Sequence, residues 1–179
     1  MKVLVIGDTH IPNRAKWLPK KIDDFLFSKR FDFIMCTGDL TDRKVLDYLK
    51  KLSDRVVVVS GNMDHLPFPE QQTLKVENLR FGIIHGHQVY PRGDVSQLRE
   101  IAFELGVDVL IHGHTHSADI YFEDVLLLNP GSATGVWSGG RASLIPSFMV
   151  LNVERNNLDV ELFELKEGEL RVTRRSFEL

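Results

Sequence analysis

The sequence has a single cysteine, Cys36, and no hydrophobic run long enough to cross a membrane. One cysteine cannot form an internal disulfide, and the apolar run at residues 3–6 is too short for a signal peptide or a membrane span. We therefore expect a cytoplasmic protein that does not act at a membrane. Packing of apolar side chains has to stabilise the fold.

The chain also lacks a basic stripe. Its 22 Lys and Arg residues are balanced by 25 Asp and Glu residues, for a net charge of −3, and only Arg171, Arg174 and Arg175 form a small basic group. Proteins that bind long nucleic acids usually carry such a stripe, because phosphate neutralisation supplies much of their affinity. We therefore do not expect long nucleic acid as a partner.

No segment of biased composition divides the chain. Hydrophobic residues make up 43% and charged residues 26% of the 179 residues, which is typical of a globular protein rather than a disordered one. Because this length suits one hydrophobic core, we expect a single domain over residues 1–179.

Three apolar runs each end in a turn that carries a polar side chain. Residues 2–6, 33–36 and 56–59 have the composition of buried strands, and they are followed by Gly7-Asp8, Gly38-Asp39 and Gly61-Asn62. Apolar side chains at helical spacing lie between these runs, which predicts βαβ crossovers. They are Leu18, Ile22, Phe25 and Leu26 in the first helix, and Val45, Leu46, Leu49 and Leu52 in the second.

A third helix is predicted to begin near Asp94 and to end at Gly106, a residue suited to a left-handed C-cap. Further strands are predicted at residues 109–111, 119–122, 125–128, 148–153, 159–163 and 171–177. The pattern alone therefore predicts an α/β fold with a β-rich second half.

The histidines are concentrated at predicted strand ends. In open α/β sheets, ligands bind outside the carboxyl ends of the strands, so these residues should meet Asp8, Asp39 and Asn62 there. Oxygen and imidazole donors suit Mn²⁺, Fe or Zn²⁺, and a carboxylate can bridge two such ions. The seven histidines are His10, His65, His85, His87, His112, His114 and His116.

Five motifs, in this order, resemble the signature of the calcineurin-like metallophosphoesterases. They are Asp8-Thr9-His10, Gly38-Asp39, Gly61-Asn62, His85-Gly86-His87 and Gly113-His114-Thr115-His116. Within this superfamily the chain is similar to the small single-domain phosphodiesterases and to the metallophosphoesterase-fold subunit of the retromer complex. Residues 86–89, 129–135 and 145–148 carry that closer similarity. The resemblance implies a four-layer αββα sandwich of two mixed β-sheets flanked by helices.

The resemblance also implies a ligand set for two divalent ions. By motif position, Asp8, His10 and His116 hold one ion, Asn62, His85 and His114 hold the other, and Asp39 bridges both. We expect Mn²⁺, with Fe, Zn²⁺, Ni²⁺ or Mg²⁺ as alternatives. The implied protein is a phosphoesterase, more specifically a phosphodiesterase, that hydrolyses small phosphoesters by attack of a metal-bridging hydroxide. Asp39, Asn62 and His85 are then its catalytic residues.

One position departs from the family pattern. Many members have a histidine directly after the asparagine, where it can protonate the leaving group, whereas this chain has Met63. A thioether cannot donate a proton. The enzyme should therefore favour good leaving groups, unless His65 or His87 supplies the proton.

Other features have structural interpretations. We interpret His112 and His65 as structural or supporting residues, and residues 131–135 as a structural loop near the site. Asp64 either orients a neighbouring ligand or caps a turn, and we favour the first role.

Two other functions stay open. In the first, the protein is a scaffold that holds metal weakly and docks partner proteins, as the similarity to the retromer subunit implies. In the second, residues 112–116 form a mononuclear zinc site. The sequence also leaves open a homo-oligomer.

Overall fold

Two mixed β-sheets lie face to face in the computed structural model, which describes residues 1–179. Helices α1 (Lys20–Phe27), α2 (Arg43–Leu52) and α3 (Val95–Leu105) lie outside the sheets. The strands are β1 (Lys2–Ile6), β2 (Phe33–Cys36), β3 (Val56–Val58), β4 (Gln71–Val76), β5 (Leu79–Ile84), β6 (Val109–Ile111), β7 (Asp119–Phe122), β8 (Leu126–Asn129), β9 (Ser147–Glu154), β10 (Asn157–Lys166) and β11 (Glu169–Glu178).

The first sheet has the strand order β11-β10-β9-β1-β2-β3. Strands β1, β2 and β3 are parallel and are joined through α1 and α2, which confirms the predicted crossovers. Strand β9 pairs antiparallel with β1, and β9, β10 and β11 form an antiparallel meander. The second sheet has the order β4-β5-β6-β8-β7, with β5, β6 and β8 parallel.

Three hydrophobic clusters define the layers. Val5, Phe81 and Met149 belong to the cluster that the two sheets bury between them. A second cluster joins the outer face of the first sheet to Ile22 of α1 and Leu49 of α2. A third joins the second sheet to one face of α3. The order helix, sheet, sheet, helix is the four-layer αββα sandwich, so that prediction is confirmed.

Helix ends agree with the sequence signals. The Asp94 side chain accepts a hydrogen bond from the Gln97 backbone N–H at the start of α3, and Gly106 ends the helix at φ 62°. Asp42 caps α2 in a similar way. No helix is long and apolar enough to traverse a bilayer.

The β4–β5 hairpin at residues 71–84 is absent from the predicted elements. Its first strand, Gln71–Val76, alternates exposed and half-buried side chains and has few β-branched residues, so its pattern is weak. Strand β5 is mostly buried and is followed by His85-Gly86, which repeats the strand-then-glycine pattern of β1 and β2. This hairpin determines where His85 lies.

Candidate metal centre

The predicted ligands occupy loops at the carboxyl ends of five strands. Asp8 and His10 follow β1, Asp39 follows β2, and Asn62 follows β3. His85 follows β5 directly, and His114 and His116 lie in the loop after β6. The two sheets present these ends along the same edge, so residues that are distant in sequence become neighbours.

Five of these residues have left-handed backbone conformations that non-glycine residues rarely adopt. The φ angles are 50° at Asp8, 47° at His10, 52° at Asp39, 68° at His114 and 54° at His116. Such conformations cost on the order of 1–3 kcal/mol each and concentrate at functional sites. The surrounding loops therefore stabilise a backbone geometry that aims the side chains inward.

One group of donors is formed by Asp8, His10 and His116. Their ligand atoms all lie within 4.8 Å of one another, and all three residues are buried. His10 Nε2 lies 3.1 Å from His116 Nε2, and Asp8 Oδ1 lies 3.4 Å from His116 Nε2.

A second group lies around His85. Its Nε2 is 3.1 Å from Asn62 Oδ1, 3.2 Å from His114 Nδ1 and 3.4 Å from Asp39 Oδ2. The same Asp39 Oδ2 lies 3.3 Å from His10 Nε2 in the first group. All seven predicted donors are thus linked through short distances, and Asp39 stands between the two groups.

The hydrogen bonds of two histidines show which ring nitrogen of each points away from the cluster. His85 Nδ1 lies 2.8 Å from the Thr37 carbonyl oxygen, and His116 Nδ1 lies 2.7 Å from the Val136 carbonyl oxygen. A carbonyl only accepts, so each Nδ1 carries a proton, and in the neutral ring each Nε2 then keeps its lone pair.

These lone pairs fit bound cations. The Nε2 atoms of His85 and His116 face further nitrogen and oxygen acceptors, and the buried Asp8 Oδ1 has no hydrogen-bond partner. A divalent cation supplies the positive partner that such a set requires. The seven residues therefore fit divalent metal.

The pKa shifts of His10, His114 and Asp8 favour metal binding, whereas burial raises the pKa of Asp39 and the contact with Asp8 raises that of His116. Burial lowers the pKa of His10 to about 4. Burial, together with the charges of His85 and Arg92, lowers the pKa of His114 to about 4. Burial raises the pKa of Asp8, but the neighbouring imidazoles of His116, His85 and His10 outweigh it and hold the value below its usual range. His10, His114 and Asp8 are thus ready to bind metal without releasing protons near neutral pH.

Asp64 orients the loop that carries Asp39. Its carboxylate accepts hydrogen bonds from the backbone N–H groups of Asp39 (2.8 Å), Thr41 (2.9 Å) and Gly61 (2.9 Å). These contacts support the orienting role over a simple turn cap.

Asp64→Asn should weaken metal binding by about 10- to 100-fold, the range typical of residues that support metal ligands. An asparagine amide can replace only part of this acceptor set, because its NH₂ group cannot accept from a backbone N–H. Metal titration monitored by calorimetry would measure the effect, with the exposed Asp54→Asn as control. Equal affinity in both variants would contradict the orienting role.

The loop at residues 131–135 supports the centre through backbone atoms. Ser132 Oγ donates to the Asp8 carbonyl at 2.7 Å, and Thr134 Oγ1 donates to the Thr9 carbonyl at 2.9 Å. These bonds fix the turn that carries Asp8, as expected for a structural loop near the site.

His112 lies outside both donor groups. It is buried, and Asn129 Nδ2 lies 3.3 Å from His112 Nδ1 while also donating to Gly113 O and Thr115 Oγ1. Residues 112–116 therefore do not converge as a site of their own. Asn129, which the sequence reasoning missed, fixes the loop that carries His114 and His116; its only sequence signal is its place directly before Pro130-Gly131.

Burial lowers the pKa of His112 from 6.5 to about 4. Below pH 6.5 the unfolded chain binds a proton that the folded chain excludes, so this group reduces stability as the pH falls from 6.5 to 4 and has no further effect below 4. The integrated loss is roughly 3 kcal/mol. Urea unfolding of EDTA-treated protein should show a shallower pH dependence in His112→Gln than in wild type. An equal pH dependence of stability in the two proteins would contradict this role of His112.

His87 and His65 differ in position. The His87 ring is exposed and lies 5.4 Å from the His85 ring and 6.3 Å from the His114 ring, centroid to centroid. His65 is also exposed and makes no such contact with a ligand ring. The Met63 backbone N–H donates to Asp39 Oδ1 at 2.8 Å, so Met63 lies beside the centre.

Comparison with known proteins identifies the family. The model of the calcineurin-like phosphoesterase superfamily domain matches residues 1–156. The chain belongs to this superfamily.

Individual relatives align with nearly the whole of this chain. A probable metallophosphoesterase of Methanocaldococcus jannaschii is 46% identical over 169 residues, which cover 93% of this chain and 83% of the relative. Vps29 from Entamoeba histolytica, solved in complex with Zn²⁺, is 37% identical, with a TM-score of 0.91 and coverage of 98% and 99% of the two chains. Chaetomium thermophilum Vps29 in complex with a cyclic peptide is 30% identical, with a TM-score of 0.82 and coverage of 99% and 95%.

Proposed function

We propose that this protein is a phosphodiesterase that hydrolyses small phosphoesters with two divalent ions, preferably Mn²⁺. The observation that carries the proposal is the position of Asp39 Oδ2, 3.3 Å from His10 Nε2 and 3.4 Å from His85 Nε2. One carboxylate oxygen is thereby available to both donor groups. Asp8, His10 and His116 would hold one ion, and Asn62, His85 and His114 the other.

Bound divalent ions supply Lewis acidity, which activates water and neutralises phosphoryl oxygens. The chain's own residues supply geometry. Carbonyls of Thr37 and Val136 fix the rings of His85 and His116, and the left-handed loops hold the carboxylates in place. Because these parts are already positioned, little reorganisation is needed when a phosphoester binds.

His87 is the better of the two candidate proton donors, because its ring lies beside those of His85 and His114. Its exposed position would let it reach a leaving-group oxygen at the mouth of the site. Met63, whose backbone N–H donates to Asp39 Oδ1, offers no proton.

Met63→His should therefore raise kcat/KM for esters with poor leaving groups. We expect a gain of about 10- to 100-fold for alkyl leaving groups, within the usual range for general acid catalysis, and little change for 4-nitrophenolate. A series of aryl and alkyl esters would give the dependence of rate on leaving-group pKa. Met63→Gln, which cannot act as a general acid, is the matched control; a parallel gain in both variants would contradict the assignment.

Hydrolysis of bis(4-nitrophenyl) phosphate with added Mn²⁺ tests the proposed function directly. Activity that needs metal, is abolished by EDTA and returns with about two bound ions per chain would support it. Metal content measured by mass spectrometry would separate a two-ion centre from a mononuclear zinc site. Negligible hydrolysis across a panel of mono- and diesters would contradict it.

A scaffold function is the second candidate, favoured by the similarity to Vps29 structures, one of them bound to a cyclic peptide. In that case the metal centre would hold ions without turnover, and a partner protein would dock on the domain. Equal, negligible rates in wild type and Asp39→Asn would favour this function.

A further inference from the structure

Three consecutive carbonyl groups of one loop connect the metal centre to two arginines. The Val136 carbonyl accepts from His116 Nδ1 at 2.7 Å, the Trp137 carbonyl from Arg14 Nη1 at 2.7 Å, and the Ser138 carbonyl from Arg92 Nη1 at 2.9 Å. Residues 136–138, which we call the rim loop, therefore position a metal-site histidine and both guanidinium groups together.

Other contacts place each arginine beside the donor groups. The Arg14 backbone N–H donates to the His10 carbonyl at 2.8 Å, so Arg14 lies one turn from a ligand. Arg92 precedes Gly93. A Cβ added at Gly93 would lie 3.1 Å from Cγ2 of Thr115, the residue between His114 and His116. The two arginines thus approach the centre from different loops.

Most N–H groups of these arginines make no hydrogen bond to the protein. A guanidinium has five N–H donors, yet hydrogen bonds are made only through Nη1 in each residue. Neither Arg14 nor Arg92 lies within 4.0 Å of a carboxylate, unlike Arg99 and Arg174, which form ion pairs. Both side chains are exposed and are suited to bidentate contact with phosphate.

An aromatic ring lies at the same rim. The Trp137 side chain is 60% exposed, and the Arg14 guanidinium carbon lies 6.0 Å from its ring centroid. A large exposed indole is available for stacking on a flat ring, and such stacking contributes about 1–3 kcal/mol for a nucleobase.

We propose that Arg14, Arg92 and Trp137 select a small phosphoester that carries a second phosphate group and a planar base. The metal centre takes the reacting phosphate, the two guanidinium groups bind the second phosphate, and the indole stacks on the base. This inference rests on the proposed function, because the substrate class it names is for that same site.

Charge favours a ligand with a second phosphate. Two divalent ions bring a formal charge of +4, which Asp8 and Asp39 reduce to +2, and a phosphodiester adds only one negative charge. Arg14 and Arg92 therefore lie beside a centre that stays positive when a simple diester binds. A ligand with an additional phosphate matches them, and arginine forks favour that planar, two-point contact.

Tryptophan fluorescence tests the base contact without measuring turnover. Trp17 and Trp137 are the only tryptophans, so the Trp17→Phe variant reports on Trp137 alone. In Mn²⁺-loaded protein freed of excess metal, ADP should quench this emission and bind more tightly than AMP or pyrophosphate. Equal affinities for the three probes would overturn the proposal.

Arginine variants test the phosphate contact. Arg14→Gln and Arg92→Gln should each weaken ADP binding by about tenfold, consistent with the loss of a charged hydrogen bond. AMP has no second phosphate, so its binding should weaken clearly less than that of ADP in both variants. Arg14→Lys and Arg92→Lys keep the charge but lose the fork, so they should recover only part of the ADP affinity.

The exposed, unpaired Arg30 supplies the control for net charge, as Arg30→Gln. If this variant weakens ADP binding as much as the rim variants do, the proposal is wrong. Its failure is distinguishable from that of the proposed function. Rim-dependent ADP binding without hydrolysis of any ester would contradict the phosphoesterase alone, whereas diester hydrolysis with rim-independent ADP binding would contradict the rim alone.

Discussion

Replacing Asp39 by asparagine should lower metal-dependent diester hydrolysis by about 10³-fold or more. Such a loss corresponds to roughly 4 kcal/mol, in keeping with the several kcal/mol that a bound metal ion contributes to charge stabilisation in the transition state. The two side-chain oxygens have different neighbours. Oδ1 accepts from the Met63 N–H at 2.8 Å, and Oδ2 faces His10 and His85.

Asparagine preserves the first contact and destroys the second. Its carbonyl oxygen can still accept from Met63, which places the NH₂ group where Oδ2 was. That group has neither the charge nor the lone pair that both donor groups share. The loop should therefore keep its shape while the number of bound ions falls below two.

Stability should not fall in the metal-free protein. Burial raises the pKa of Asp39, which means that its charged form is disfavoured there, and the neutral amide avoids that cost. Activity, metal content and thermal unfolding should all be measured, with the exposed Asp54→Asn as control. A rate within about tenfold of wild type, with two ions still bound, would show that Asp39 does not bridge.

The metal centre could be predicted from the residues that follow the apolar strands. Gly7-Asp8 and Gly38-Asp39 each follow an apolar run, and the parallel register of β1 and β2 then brings them to the same edge. A strand that is buried on both faces requires a continuous apolar run, so such strands and the residues that follow them can be recognised in the sequence.

Other parts of the site depend on contacts that leave no local pattern. The left-handed conformation of His10 or His114 follows from loops that pack against each other, since neither residue favours it intrinsically. Arg14 and Arg92 look like ordinary surface arginines in the sequence. Only the tertiary structure shows that successive carbonyls of the rim loop hold both.

A glycine at position 61 is required because residue 61 lies very close to Asp39. A Cβ added there would lie 2.0 Å from Asp39 Oδ1 and 2.4 Å from the Asp39 backbone nitrogen. Both distances are far below van der Waals contact, and the second involves backbone that cannot rotate away. Either the Asp39 loop or residue 61 must move.

Gly61→Ala should therefore lower activity by at least about 100-fold and destabilise the fold by about 1–3 kcal/mol, as overpacking does. The movement would also break the hydrogen bond from Gly61 N–H to Asp64, which orients Asp39. Unfolding in urea, metal content and hydrolysis would measure the three effects.

Gly168→Ala is the matched control, because residue 168 has φ +76° but nothing within 4 Å of an added Cβ. It should cost about 1–2 kcal/mol through its left-handed backbone alone and leave activity unchanged. If Gly61→Ala behaved in the same way, with full metal content and normal rates, the Asp39 loop would have to tolerate a shift. Tight positioning of the shared carboxylate would then not be needed for hydrolysis.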